Sequence, residues 1–160
     1  MTTTSTNTST GTGPSTGTSA AVTSTAATTA SKPPQTPSAL SGPYWQAAAE
    51  GQLVIQCCTA CGKLRHYPRL ICDKCYSDAV HWVPASGRGT IHSWTVSHHT
   101  FHPSFLGELP YALVTVDLDE GVRALGRWRG DVALSIGLPV QGNFEAREGG
   151  VDLVFVPRSG

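Results

Sequence analysis

Two pairs of cysteines are the residues in this chain best placed to do chemistry. Cys58-Thr-Ala-Cys61-Gly62 and Cys72-Asp-Lys-Cys75 form two C-x2-C knuckles with ten residues between them. Two residues between thiolates allow a tight turn to bring both sulfurs to one ion, and Gly62 frees the backbone to turn directly afterwards. Four thiolates close a tetrahedral shell without an open position, which makes a structural metal site rather than a catalytic one. Zinc is the expected ion. An all-thiolate tetrahedron also accepts iron, which would colour the protein red. The alternative is four buried free cysteines that happen to be paired. Cys57 should point away from Cys58 on the strand that leads into the first knuckle, so it is not expected as a ligand.

The histidines offer less. All six lie between positions 66 and 102. His66 sits between the knuckles and could replace a cysteine. With four thiols at hand, a surface or packing role is expected for it. His98, His99 and His102 share a segment with Phe101, Pro103 and Phe105, and such a loop could carry acid–base chemistry. No Ser or Cys nucleophile with a recognisable signature accompanies them, so no catalytic residue is assigned.

The elements that must position these residues can be read from patterning. At 160 residues the chain has room for one ordinary domain, or two small modules behind a tail. Residues 1–38 are nearly all Thr, Ser, Ala and Gly, ending in Pro33, Pro34 and Pro37, and are expected to be disordered for want of apolar burial. Pro43 to Glu50 reads as a short helix with Ser41 as a cap and Gly51 at its end. Its aromatic face, Tyr44 and Trp45, either covers the ribbon or docks on a partner.

From Leu53 onward the pattern is of short strands. They run over residues 53–56, 80–84, 90–97, 111–118, 122–128, 140–146 and 151–156, most separated by Gly-rich turns, which argues for a small barrel or sandwich. One hairpin can be registered from chemistry. With Asp119-Glu120-Gly121 as a three-residue loop, Leu118, Val116 and Val114 face Val122, Ala124 and Gly126 on one apolar face. Asp117 then faces Arg123 and Leu113 faces Arg127 on the other. The arginines of that second face are expected to be solvated.

Composition narrows the classes of function. The formal net charge is zero, which offers no global attraction to phosphate backbones or anionic lipid. No apolar run approaches the roughly 20 residues needed to span a bilayer. Basic residues and a continuous apolar stretch are both missing before Lys32, so no secretory peptide is recognised and a cytoplasmic location is expected. In such a reducing compartment, clustered cysteines favour metal over disulfides.

Several motifs occur in an ordered series: Tyr44-Trp45, Gln56-Cys-Cys-Thr-Ala-Cys-Gly62, Tyr67-Pro-Arg69, Cys72-Asp-Lys-Cys75, Ser86-Gly-Arg-Gly-Thr90, Leu109-Pro-Tyr111 and Leu118-Asp-Glu-Gly-Val-Arg123. Together they resemble the DUF35 family over about residues 39 to 157. Cys57 stands where that family usually has a polar or basic residue. The resemblance implies a mainly β chain, with a helix and rubredoxin-like zinc ribbon over residues 39–84 and a five-stranded OB-fold barrel over 85–158.

It also implies a small partner subunit of thiolase-superfamily enzymes, including the sterol-carrier-protein type, in acyl-CoA carbon–carbon bond chemistry. Chemistry would sit mainly in the partner. In that setting Arg65, Arg69 and Arg88 are candidates to meet CoA phosphates, and Phe101 and Phe105 to contact the partner or the acyl group. The alternative for the loop that carries those aromatics is to fold over the barrel mouth. The competing function is a single-stranded nucleic-acid-binding module, since OB-folds and zinc ribbons both serve that role, although zero net charge weighs against it. A third is an independent enzyme using His98, His99 or His102.

Overall fold

The computed structural model describes residues 31–158, apart from Phe101. A short helix, α1 (Gly42–Ala49), leads the ordered part. Its run of alanines favours helix, Pro43 fits the first turn, and Gly51, at φ 77°, ends it. Ser41 precedes the helix but does not cap it with its side chain. Its Oγ instead accepts from the backbone N–H of Ser38 at 3.0 Å.

Three strands follow: β1 (Val54–Cys58), β2 (Leu64–Arg65) and β3 (Val80–Pro84). They form an antiparallel sheet in the order β2-β1-β3 that carries the knuckles. The two-residue β2 was not among the expected strands; it is too short to leave an alternating pattern.

The other five strands close a barrel: β4 (Arg88–Ser97), β5 (Tyr111–Leu118), β6 (Arg123–Trp128), β7 (Pro139–Arg147) and β8 (Gly150–Pro157). Their order is β4-β5-β6-β8-β7, with β7 returning to β4, and only the β6–β8 pair is parallel. Closure gives each of the five strands two neighbours, although β4–β7 and β6–β8 pair only over short stretches. This is the expected OB-fold, mainly β, behind a zinc-ribbon sheet.

The β5–β6 hairpin has the register that burial of one face selects. Val116 lies opposite Ala124 and Val114 opposite Gly126, and Gly121 takes φ 78° in the loop. Val114, Val116, Leu118 and Ala124 join Ile91, Val140, Leu153 and Phe155 in the barrel core. Gly126 is required there, because a Cβ would come within 2.7 Å of the Leu153 carbonyl and 2.8 Å of the Phe155 ring.

The opposite face departs from expectation. Arg127 is buried rather than solvated, paired with Glu108 and lying 4.6 Å over the Tyr111 ring. Glu108 arrives on a 3₁₀ helix, Pro103–Glu108, which follows β4. The loop with the aromatics is therefore folded against the barrel, with Phe105 half-buried and Leu106 exposed.

The core is continuous between the two modules. Tyr44 from α1 and Leu53 and Val54 from the start of β1 belong to the same buried cluster as the barrel residues. Tyr44 packs between His66, 5.4 Å away, and Phe144 of β7, 6.2 Å away. The helix thus wedges ribbon to barrel, covering both.

The greater part of the segment expected to be disordered, residues 1–30, lies outside the described residues. Residues 32–35 are held in place. Gln35 exchanges hydrogen bonds with Val151 and donates its backbone N–H to Gly149 at 2.8 Å, while Lys32 pairs with Glu108. The open edge of the β7–β8 turn offers backbone partners that the sequence of the tail does not advertise.

Candidate metal centre and adjoining clefts

The knuckles are built alike. In each, the residue after the second cysteine donates its N–H to the first cysteine's carbonyl: Gly62 to Cys58 at 2.8 Å and Tyr76 to Cys72 at 2.9 Å. In each, the first cysteine donates its N–H five residues on, Cys58 to Lys63 at 3.0 Å and Cys72 to Ser77 at 2.9 Å. The turning residues both take left-handed backbone, φ 71° at Gly62 and 58° at Tyr76.

The result brings four thiols together. The sulfurs of Cys58, Cys61, Cys72 and Cys75 all lie within 4.8 Å of one another, with Cys58 to Cys75 at 3.5 Å and Cys61 to Cys72 at 3.6 Å. Four sulfurs at about 2.3 Å from a central zinc would sit about 3.8 Å apart, so the spacing suits that ion. Cys57 stands outside the group; its nearest polar neighbours are the carbonyls of Gly62 and Cys58.

Electrostatics also favours a cation at the centre. Cys72 falls to about 6, chiefly because the Lys74 N–H points at its sulfur, while Cys75 rises to about 12. For Cys75 the helpful N–H of Ser77 is outweighed by the neighbouring sulfurs, Cys61 first, and by burial. Four thiolates cannot all ionise side by side unless positive charge lies among them.

Two clefts are lined by residues of both ribbon and barrel, and one of them is walled in part by Tyr67. The Tyr67 hydroxyl donates to the Leu125 carbonyl at 3.0 Å and accepts from the Leu125 N–H at 3.1 Å, tying the ribbon loop to β6. The cleft that Tyr67 lines is an apolar one of about 300 Å³, whose walls also include Tyr44, Trp45, Phe105, Tyr111, Leu113 and Leu125. The second is a polar cleft of about 150 Å³, whose lining includes Lys63, Arg65, His66, Arg69, Asp73 and Arg123.

The candidate ligand residues are thereby distributed. Arg69 lines the polar cleft and Phe105 the apolar one. Arg88 lies in neither, and pairs with Asp119 at 3.4 Å on the barrel surface. Phe101 lies outside the described residues.

Sequence reasoning gave Tyr67 no role of its own, because the partner of its hydroxyl is 58 residues away. It also missed a pair formed by His92 Nδ1 and Asp117 Oδ2 at 2.9 Å. Asp117 is shared with Arg123, whose guanidinium, ahead of His92, holds the carboxyl below its usual range. Among the other histidines, His102 accepts from the Ser104 N–H and starts the 3₁₀ helix.

Comparison with known proteins agrees with both modules. The model for the ChsH2 rubredoxin-like zinc ribbon domain matches residues 45–81, and that for the ChsH2 C-terminal OB-fold domain matches residues 82–145. The chain belongs to the DUF35 family, in the form that joins a rubredoxin-like zinc ribbon to an OB-fold.

It is similar to the Ltp2-ChsH2(DUF35) aldolase, at 36% identity and a TM-score of 0.69, covering 77% of this chain and 98% of that one. A DUF35-family protein from Sulfolobus solfataricus, 13% identical with a TM-score of 0.51, covering 72% of this chain and 83% of that one, shares the fold. Curated relatives include a probable enoyl-CoA hydratase alpha subunit from Thermomonospora curvata, 40% identical over 61% of this chain. Another is the 3-oxo-4,17-pregnadiene-20-carboxyl-CoA hydratase alpha subunit of Mycobacterium tuberculosis, 35% identical over 63% of this chain. The matches span only 30% and 32% of those two relatives. Among the described residues no helix is long and apolar enough to cross a membrane.

Proposed function

We propose that this chain is an accessory subunit that docks on a thiolase-superfamily enzyme of the sterol-carrier-protein type. There it helps hold an acyl-CoA substrate for carbon–carbon bond cleavage or formation, in steroid or fatty-acyl side-chain metabolism in the cytoplasm. The chemistry belongs to the partner. One structural zinc ion, held by Cys58, Cys61, Cys72 and Cys75, fixes the ribbon. The similarity to the Ltp2-ChsH2(DUF35) aldolase and to alpha subunits named as hydratases of CoA thioesters supports this reading.

The observation that carries it is the presence of one aromatic and one cationic cleft, each lined by both ribbon and barrel residues. An acyl-CoA thioester is apolar at one end and multiply anionic at the other. The aromatic cleft suits the first end and the cationic cleft the second. At about 300 Å³ the apolar cleft is at the small end of ligand pockets and is open, so a partner must supply its other wall.

The test is co-expression with a thiolase of the sterol-carrier-protein type, followed by gel filtration and assay of acyl-CoA cleavage. A stable complex, active only when both chains are present, is the expected result. Robust acyl-CoA turnover by this chain alone, or no association with the thiolase, would refute it. Tight, salt-sensitive binding of labelled oligonucleotides would favour the nucleic-acid reading instead.

A further inference from the structure

Arg65 is paired with nothing in a place where a cation needs a partner. It lies on β2 opposite Gln56 of β1 and is 4% exposed, yet its Nε, Nη1 and Nη2 all lack a hydrogen-bond partner among the described residues. A guanidinium presents five N–H donors, and leaving them buried and unmatched is one of the costlier arrangements a fold can keep. The thiols of the metal centre do not satisfy them, for none of those sulfurs accepts a hydrogen bond from Arg65.

The surroundings are built around the same deficit. Arg65 forms part of the wall of the polar cleft, together with Lys63, Arg69 and Arg123. The carboxylates at hand are already engaged, Asp73 with Lys63 at 2.5 Å and Asp117 with Arg123 at 2.6 Å. That leaves Arg65 without a counter-charge, while Arg69 feels the Asp73 carboxylate only as a minor influence behind Lys63. Both ring nitrogens of His66 are also buried without partners, so a neutral N–H donor stands beside the two cations. The cleft, about 150 Å³, has room for a tetrahedral oxyanion and a little water but not for a nucleoside.

We infer that this cleft between ribbon and barrel is a binding site for a phosphate group, which Arg65 receives through its buried guanidinium with Arg69 at the mouth. A guanidinium fork matches two phosphate oxygens, and a dianion supplies the charge that the cleft lacks. The inference deepens the acyl-CoA reading, since the ribose 3′-phosphate of CoA is a monoester of this class. Free inorganic phosphate carries the same chemistry. Arg65 is thus retained at a cost to the empty fold that its ligand offsets.

The experiment is a set of thermal melts on the full zinc-loaded chain in chloride buffer, at equal ionic strength, with inorganic phosphate, CoA or dephospho-CoA added. Inorganic phosphate should raise the melting temperature of the wild type. Arg65→Met should melt no lower than wild type in chloride and bind phosphate about tenfold more weakly or worse, and Arg69→Gln, an exposed change, should also bind less tightly.

A larger rise with CoA than with dephospho-CoA would identify the 3′-phosphate as the occupant. A response to phosphate with none to CoA would support the site while counting against the acyl-CoA reading. No phosphate-specific rise in the wild type, or a rise that Arg65→Met keeps, would overturn the inference. So would an Arg65→Met chain that melts lower, misfolds or loses zinc, because Arg65 would then be a structural partner of the thiolate centre.

Discussion

Gly62 and Tyr76 occupy matching places in the two knuckles, yet only one of them is suited to the left-handed backbone found there. A residue with a Cβ pays roughly 1–2 kcal/mol to hold that conformation, partly offset in a glycine variant by the larger entropy of the unfolded chain. Tyr76 is 81% exposed, so little packing is lost with its ring. Tyr76→Gly should therefore stabilise the metal-loaded protein by about 0.5–1 kcal/mol, read from its urea midpoint. Cys72→Ser should do the reverse. It removes one thiolate from a shell whose zinc is worth about 10 kcal/mol or more to a small ribbon, and should give insoluble protein with well under one equivalent of metal by elemental analysis. The cysteines were legible because ligand spacing is a local property. The burial of Arg127 was not, because the Glu108 that pairs with it lies 19 residues away on a 3₁₀ helix with no periodic signature.

Within single elements, legibility follows the same division. The β5–β6 hairpin could be registered from sequence because one face is apolar and a one-residue slip would bury arginine. The segment before β5 alternates in no pattern, and its fold depends on Glu108 meeting Arg127 and Lys32 together. Those two cations, set against the cost of burial, keep the Glu108 carboxyl below its usual range. Glu108→Gln leaves Arg127 buried without its counter-charge and should destabilise the protein by about 2 kcal/mol by chemical denaturation.

The junction of β2 with α1 carries a pH dependence. Burial holds His66 at about 4, against 6.5 for the free side chain. Above pH 6.5 both the native and unfolded chains carry neutral imidazole there, and His66 adds no slope. Between 6.5 and 4 the unfolded chain takes up a proton that the native chain refuses, so stability falls as pH drops, by about 3 kcal/mol over the window. Protonation of the thiolates adds its own loss, which His66→Gln shares. The difference between the two stability–pH curves therefore isolates His66, and parallel curves would contradict this account.

Across the whole molecule, the question is whether ribbon and barrel are two stable units or one. The sequence suggested separate modules, because knuckles and alternating strands are each recognisable alone. The contacts that join them are not, since Tyr44, Leu53 and Val54 look like ordinary local core until the barrel is placed against them. The ribbon sheet has only three short strands, and small units of that kind need metal or a neighbour to persist. Here it has a neighbour, with Tyr44 of α1 packed between His66 and Phe144, and four clustered thiols spaced to hold the metal. Because Tyr67 also ties the knuckle loop to Leu125 of β6, loss of the ribbon would strip one wall from each cleft. The metal-loaded protein should accordingly unfold in a single calorimetric transition. A strong chelator should lower its melting temperature by well over 10 °C, for the metal's binding free energy is part of the stability of one cooperative unit. Two separated transitions, with the barrel's unmoved by the chelator, would show that the shared core does not couple the modules.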